Sequence, residues 1–391
     1  MIIKPMIRDN IALNAHPKGC EQNIINQLNE IASKKEIGKI PLNVLIIGGS
    51  SGYGLASRLV LAFKNNAFTY NVSFESAPTK RLSGSAGYFN NYYFEKIATK
   101  ENIPSFDLNA DCFAHETKDE VINYFKKNNK KIDLIIYSVA SGVRIDPDSK
   151  EKYLSALKPI GHAYTGMSID LVKEIMKEKT IEVAQADEII KTIKVMGGED
   201  FLLWIKALDK ANILNNNVKA IAYTYLGSPC TYPIYKDGTI GQAKRDLEQK
   251  NSEINAILQK KKGHSYIVAA KSVVTKASSV IPTVPLYMSA LFKVMKEQHT
   301  HESITEHIYR LYSEMIYGDK LLIDENNIVR LDSYEMTATV QEKVNNLLQQ
   351  VTENNFQELL DYQEYKKEFL LINGFGLGKV DYDADLDLSK Y

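Results

Sequence analysis

One segment narrows the possible folds of this chain more than any other. Asn43-Val44-Leu45-Ile46-Ile47 runs into Gly48-Gly49-Ser50-Ser51-Gly52-Tyr53-Gly54, and Leu55 to Phe63 follows with a helical pattern. A short apolar run ending at clustered glycines reads as a buried strand, a sharp turn and a helix start. That order opens a dinucleotide-binding βαβ unit. Glycines let the backbone approach a pyrophosphate, and the helix N-terminus offers free N–H groups and a positive dipole end. A glycine loop also serves as a tight turn that binds nothing, so its flanks carry the inference.

The flanks continue the pattern. Thr69 to Phe74, Ser105 to Asn109, Lys131 to Ser138, Val218 to Tyr225 and Ser265 to Ala270 read as further strands, with amphipathic stretches between them. Continuous apolar strands alternating with helices predict an α/β fold with a doubly wound parallel sheet. The stretch from about 150 to 200 reads as polar and helical. Ser278 to Met295 is apolar but interrupted by Pro282, Pro285 and Lys293. It falls short of the roughly 20 apolar residues of a membrane span and reads as a buried helix.

Lys+Arg and Asp+Glu both number 48, so the formal net charge is zero. This gives no support to a nucleic-acid partner or a stable membrane association. Cys20, Cys112 and Cys230 are far apart and make neither a metal spacing nor a disulfide framework, which points to a reducing cytoplasm. Met1 to Asn10, broken by Lys4, Arg8 and Asp9, does not read as a signal peptide. The trio His299, His301 and His307 lacks metal-site spacing and reads as exposed imidazoles at a helix boundary. No metal is expected. A flavin is not indicated either, since one dinucleotide loop is visible.

Glu75 ends the second strand, 27 residues after Gly48. An acid there accepts from the adenosine ribose and repels a 2′-phosphate, favouring NADH over NADPH. Lys80 and Arg81 close behind weaken that preference. Asp111-Cys112 is placed to flank the adenine. Val139-Ala140-Ser141 is placed to line the ribose and nicotinamide.

Tyr235 and Lys244 are nine positions apart, which on one helix is about half a turn out of phase. Asp237-Gly238 breaks the helix, and Thr239 is expected to cap a new one. Tyr235 then sits on the turn and bends back toward Lys244. An ammonium beside a phenol favours the phenolate and makes the phenol a better acid, and the same lysine can hold ribose hydroxyls. With 23 tyrosines in the chain, a single tyrosine is ordinarily a packing residue.

The chain resembles, end to end, the FabV/TER family of NADH-dependent trans-2-enoyl thioester reductases. The resemblance is carried by Met1-Ile2-Ile3-Lys4-Pro5, Ala15-His16-Pro17 with Gly19-Cys20, the Gly48 to Arg58 loop and Val195-Met196-Gly197-Gly198-Glu199-Asp200. It continues through Tyr235-x8-Lys244, Ser279-Val280-Ile281-Pro282 and Phe292-Lys293-Val294-Met295-Lys296. It implies a monomeric extended Rossmann fold, similar to short-chain reductases, with a small lobe over the active site. Residues 1–391 would form one large domain. Within it, 1–80 carries the phosphate loop, 81–318 is catalytic with a lobe at about 150–200, and 319–391 supplies surface helices and loops.

The resemblance implies Tyr235 as proton donor, Lys244 as a cofactor contact and Tyr225 as a substrate contact. It implies contacts to NADH from Gly48, Gly49, Ser50, Ser51, Gly52 and Tyr53, from Phe74 and Glu75, and from Asp111 and Cys112. Val139, Ala140, Val273, Val274 and Thr275 complete that set. The implied reaction reduces the C2=C3 bond of an enoyl thioester carried on CoA or acyl-carrier protein, in fatty-acid synthesis or short-chain acyl metabolism. Gly142-Val143-Arg144 departs from the family, where proline commonly follows Ala-Ser, and Thr231 to Ile234 is a variable stretch expected near the acyl chain. Two other classes fit parts of the pattern. A carbonyl-reducing short-chain dehydrogenase also needs Tyr and Lys, whereas a non-catalytic NAD(H) sensor needs only the loop.

Overall fold

The computed structural model describes residues 1–276 and 278–391. A two-residue ladder, β1 (Ile7–Arg8) with β2 (Ile11–Ala12), leads into α1 (Pro17–Ile31). The first half then alternates strand and helix: β3 (Asn43–Ile47), α2 (Gly52–Asn65), β4 (Phe68–Ser73), α3 (Ala86–Lys100), β5 (Ser105–Asn109), α4 (His115–Lys127) and β6 (Ile132–Tyr137). After a middle segment come β11 (Leu214–Thr224), α7 (Thr239–Leu258), β12 (His264–Ala269), α8 (Val284–Glu297), α9 (Ile304–Arg310) and β13 (Ile328–Arg330). The chain closes with α10 (Ala338–Gln350), α11 (Phe356–Leu359) and α12 (Tyr362–Leu371).

Seven strands form one parallel sheet in the order β13-β12-β11-β6-β3-β4-β5. From β3 the chain winds outward through β4 and β5. It then crosses back to β6 and winds the other way. The strand order therefore reverses between β3 and β6, and the crevice beyond their carboxyl ends is where such sheets bind ligands. The two central strands, β3 and β6, are apolar along almost their whole length because helices cover both faces. Val44, Leu45, Ile46 and Ile47 are fully buried, as are Leu134, Ile135 and Ile136.

Three expectations need correction. The stretch at 150–200 is not helical before Ala186: short strand β8 (Lys152–Leu154) pairs with β7 (Val143–Ile145) just ahead of it, and loops lead to the hairpin β9 (Tyr164–Asp170) with β10 (Ile175–Ile181). Helices α5 (Ala186–Met196) and α6 (Glu199–Lys210) follow. β10 carries four consecutive polar residues, Lys177 to Thr180, and buries only Met176, so most of this strand faces outward. Ile169, Leu171 and Met176 pack into the α8 cluster. The C-terminal segment is not only surface. β13 extends the central sheet, and Val344, Phe356, Tyr362, Tyr365 and Phe369 bury against α8. Finally, only His299 of the histidine trio is exposed. His307 is fully buried.

α8 is the buried helix expected at Ser278 to Met295. Its residues from Val284 to Phe292 are all buried, because the β9–β10 hairpin, α10 and α12 surround it. No helix among the described residues is long and apolar enough to cross a membrane.

Candidate active site

The site is a cavity of about 1280 Å³ at the carboxyl ends of β3, β6, β11 and β12. Every residue expected to touch NADH or to act in catalysis lines it except Gly49.

The glycine loop forms one wall. Gly48 has φ +92°, and a Cβ there would lie 2.2 Å from the Ser138 carbonyl oxygen, so only glycine lets β3 and β6 diverge here. Gly54 packs so that a Cβ would sit 2.0 Å from the Gly48 oxygen. Gly49 faces away from the cavity. Its N–H donates to Asn71 Oδ1 at 2.9 Å. Ser51 is extended at the N-cap of α2 and makes no side-chain capping bond. The helix start is thus left to an anion, and the loop fits a pyrophosphate.

Beyond the loop, Glu75 is fixed from two sides. Ser50 Oγ donates to it at 2.6 Å, and Ser85, the N-cap of α3, donates to its other oxygen. Asn109 bonds both the Glu75 N–H and C=O, at 2.7 and 2.9 Å. Phe74 beside it is 78% exposed, an apolar ring open to a ligand. Beneath the loop Arg58, wholly buried, holds Asp107 of β5 through two bonds of 2.8 and 2.6 Å. Next to Asp111, the Lys118 ammonium binds the Cys112 and Phe113 carbonyls and pairs with buried Asp200 at 2.8 Å. Tyr137 donates to the second Asp200 oxygen at 3.1 Å.

At the far end β11 delivers Tyr225, and the turn at 232–238 delivers Tyr235. Their rings meet edge to face at 5.3 Å and 72°. The expected phenol–ammonium contact is not formed. Lys244 donates to the Tyr223 carbonyl at 3.1 Å rather than to the Tyr235 hydroxyl. The reason is local: α7 begins at Thr239, and its second turn aims Lys244 at the end of β11. Burial pushes the Tyr235 phenol up and brings the Lys244 ammonium down to about 8. The Tyr235 hydroxyl is therefore a neutral phenol near pH 7, not a phenolate. Thr239 is not the cap either. It is the first helical residue after Gly238, and its hydroxyl bonds the Ala156 carbonyl and accepts from the Lys158 N–H.

In the segment that departs from the family pattern, Arg144 is buried and binds Glu199 at 2.7 Å and the Lys194 carbonyl at 2.6 Å, tying β7 to the start of α6. One other expectation ends differently. None of Thr231 to Ile234 lines the cavity. Ile234 is fully buried in the α8 cluster. The cavity is bordered instead by Val143 and Ile145 of β7 and by Ser155 and Leu157 just after β8.

Sequence reasoning missed the support behind Tyr225. Ser272 Oγ donates to its hydroxyl at 2.8 Å, and Glu335, fully buried, lies 3.4 Å away. Asp332-Ser333-Tyr334-Glu335 carries no motif, and only the sheet's far edge brings it here. Among the described residues no group of His, Cys, Asp or Glu is arranged to hold a metal ion.

A glycine loop at the sheet's switch point and a tyrosine pair on the same cavity define a Rossmann-type dinucleotide-dependent oxidoreductase. Residues 82–317 match the trans-2-enoyl-CoA reductase catalytic region, and residues 2–80 match the NAD(P)H binding domain of that reductase. The chain belongs to the trans-2-enoyl-CoA reductase family. It is 46% identical over 387 residues to an enoyl-[acyl-carrier-protein] reductase [NADH] of Idiomarina loihiensis, covering 99% of each chain. It is 45% identical to one from Shewanella baltica, covering 99% of this chain and 98% of the relative. Two crystal structures of trans-2-enoyl-CoA reductases superpose throughout. The Clostridium acetobutulicum enzyme with NADH gives a TM-score of 0.97 at 40% identity, covering 100% of this chain and 98% of its own. The Treponema denticola enzyme with NAD gives 0.94 at 41%, covering 99% and 98%.

Residues 323–386 match a family segment described as an enoyl reductase FAD binding domain. The structure does not fit a flavin dinucleotide there. The glycines Gly374, Gly376 and Gly378 follow helix α12 rather than a strand. Gly374 is pressed so closely on α1 that a Cβ on Gly19 would lie 1.6 Å from its oxygen. The buried apolar residues of the segment are spent on the central sheet, through Ile328, Val329 and Leu331, and on packing α8. No step is routed through a flavin.

Proposed function

We propose that this protein reduces the C2=C3 bond of trans-2-enoyl thioesters with NADH. The observation that carries the reading is the meeting of Tyr225 and Tyr235 in the cavity that also reaches the Gly48 loop. In this reading the loop from Gly48 to Tyr53 holds the pyrophosphate, with Gly49 fixing its backbone from behind. Glu75 and Phe74 take the adenosine ribose and adenine edge, and Asp111 and Cys112 flank the base. Val139, Ala140 and the stretch Val273 to Thr275 close on the nicotinamide side, and Lys244 holds ribose hydroxyls.

Bound NADH supplies a hydride for Cβ of the substrate. Negative charge then gathers on the thioester oxygen. The Tyr225 and Tyr235 hydroxyls stabilise it by donating hydrogen bonds, each donor being worth on the order of 10²–10³ in rate. Tyr235, kept neutral by burial, supplies the proton for Cα. The walls near Tyr235 are apolar, including Leu157, Ile240 and Ile281, which suits an acyl chain rather than a sugar or a peptide.

We further read the chain as one domain over 1–391, a monomer of the cytoplasm. Supporting this, strands from 1–80, 81–318 and 319–391 share one sheet, and all three cysteines are free.

The test is crotonyl-CoA with NADH, followed by loss of NADH absorbance, with NADPH in parallel and a dodecenoyl thioester as the long substrate. A saturated acyl product supports the reading. No oxidation of NADH with either chain length refutes it.

A further inference from the structure

The buried carboxyl beside Tyr225 takes no part in the mechanism above. Glu335 sits directly behind Tyr225, fully buried, and its two oxygens have different partners. Oε2 accepts the Ser272 backbone N–H at 2.6 Å. Oε1 faces two phenols, Tyr287 at 2.7 Å and Tyr225 at 3.4 Å. Tyr287 is itself oriented, because Gln341 Nε2 donates to its oxygen at 3.1 Å and so turns its hydrogen onto Glu335. With Oε2 committed to a backbone donor, a proton on this carboxyl belongs on Oε1. From there its free direction is the Tyr225 oxygen.

We propose that Glu335 is a positioning residue for Tyr225: protonated on Oε1, it donates to the phenol oxygen and, with Ser272 Oγ as the second donor, turns the Tyr225 hydrogen into the cavity toward the substrate oxygen. The phenol oxygen then accepts two hydrogen bonds, and its own hydrogen has only the cavity left. When Glu335 is ionised the bond reverses. The Tyr225 hydrogen falls back onto Oε1, and the oxyanion loses a donor. The inference rests on the role proposed for Tyr225.

The surroundings place this switch near neutral pH. Burial pushes the Glu335 carboxyl up to about 7, and nearby Asp332 adds to the rise. The Tyr287 and Ser272 donors and the Lys271 ammonium oppose it. Tyr53 and Cys230, which also feel the carboxylate, are neutral groups raised by burial. The active form is the protonated one, so the donor is present below about 7 and is withdrawn as pH rises through it.

The experiment is the pH profile of kcat with saturating NADH and crotonyl-CoA for the wild type, Glu335→Gln, Tyr225→Phe and Ser272→Ala. The wild type is expected to bend downward near pH 7, losing up to roughly tenfold per pH unit above it. Glutamine keeps its carbonyl on the Ser272 N–H and its amide donor on Tyr225 at every pH, so Glu335→Gln removes that bend. Lys244, near 8, titrates in both proteins and is not the difference read. A bend near pH 7 that persists in Glu335→Gln overturns the proposal. Tyr225→Phe at the wild-type rate would instead overturn the Tyr225 reading on which it rests. Ser272→Ala, which keeps Glu335, should lower kcat more than it changes KM. An unchanged kcat there would refute the two-donor arrangement even if Glu335→Gln failed to fold.

Discussion

Cofactor choice gives the sharpest test of the site, because Glu75 is held so firmly. A 2′-phosphate carries roughly 1.5–2 negative charges near neutral pH. At about 5 Å from the carboxylate, with an effective dielectric of about 40 for a half-exposed site, the repulsion is about 3 kcal/mol. Removing the charge should therefore raise the NADPH/NADH ratio of kcat/KM on the order of 10²-fold. Lys80 and Arg81, both exposed, are then free to attract the phosphate. Two variants separate charge from hydrogen bonding. Glu75→Gln keeps an acceptor for the ribose and relaxes selectivity with a small loss of NADH efficiency. Glu75→Ala relaxes selectivity and also loses a ribose contact worth about 1.5–3 kcal/mol. The assay is kcat/KM with each cofactor at fixed enoyl-CoA, repeated at high salt, where the wild-type preference should shrink. An unchanged ratio in both variants would refute the assignment of Glu75.

Tyr235→Phe should lower kcat on the order of 10²–10³-fold while NADH binding, read by fluorescence titration, is retained; wild-type turnover would remove Tyr235 from the chemistry. Asp200→Ala leaves the buried Lys118 ammonium without its partner and should destabilise the fold by about 3–5 kcal/mol in urea unfolding, with a raised KM for NADH as the 111–113 loop loosens. Unchanged unfolding would show that the pair is dispensable. His16 and His307 are fully buried and neutral, since each accepts a backbone N–H on a ring nitrogen, from Gly19 at 3.2 Å and from Lys271 at 3.1 Å. Burial brings both down to about 4 from an ordinary value near 6.5. Their folded values lie below their unfolded ones, so stability is full above about pH 6.5. It should fall by up to about 2.7 kcal/mol per pH unit as pH drops from there toward 4. A melting temperature that is flat over that window would contradict the assignment.

The strands β3 and β6 were legible because each is a nearly continuous apolar run bounded by a turn, β4 and β5 because they fall between helical stretches in a repeating strand–helix order, and the Gly48 loop because its glycines have no substitute. That Glu75 would line the same cavity as the loop was legible from its distance along the chain. The hairpin at 164–181 was not, because its second strand shows no period-two alternation and its charged residues also suit a surface helix. The contact of Lys244 was misread for a similar reason. The residue spacing gives the helix phase, but only the position of β11 decides that the Tyr223 carbonyl, rather than the Tyr235 hydroxyl, meets the ammonium. The three histidines looked exposed because polar neighbours surround them in sequence, whereas His307 is buried by the loop after β12.

By itself, then, the sequence determined the layered α/β class, the place of the phosphate loop and the tyrosine and lysine that face one cavity. These follow from local rules of strand, turn and helix that act within a few residues. The tertiary structure alone decided what stands behind those side chains: Ser272 and Glu335 on Tyr225, Asp200 on Lys118, and burial itself on Tyr235. Such partners are brought together by sheet order and helix packing, across 110 residues for Tyr225 and Glu335. Hydrogen bonding and desolvation depend on that proximity, which no local pattern records.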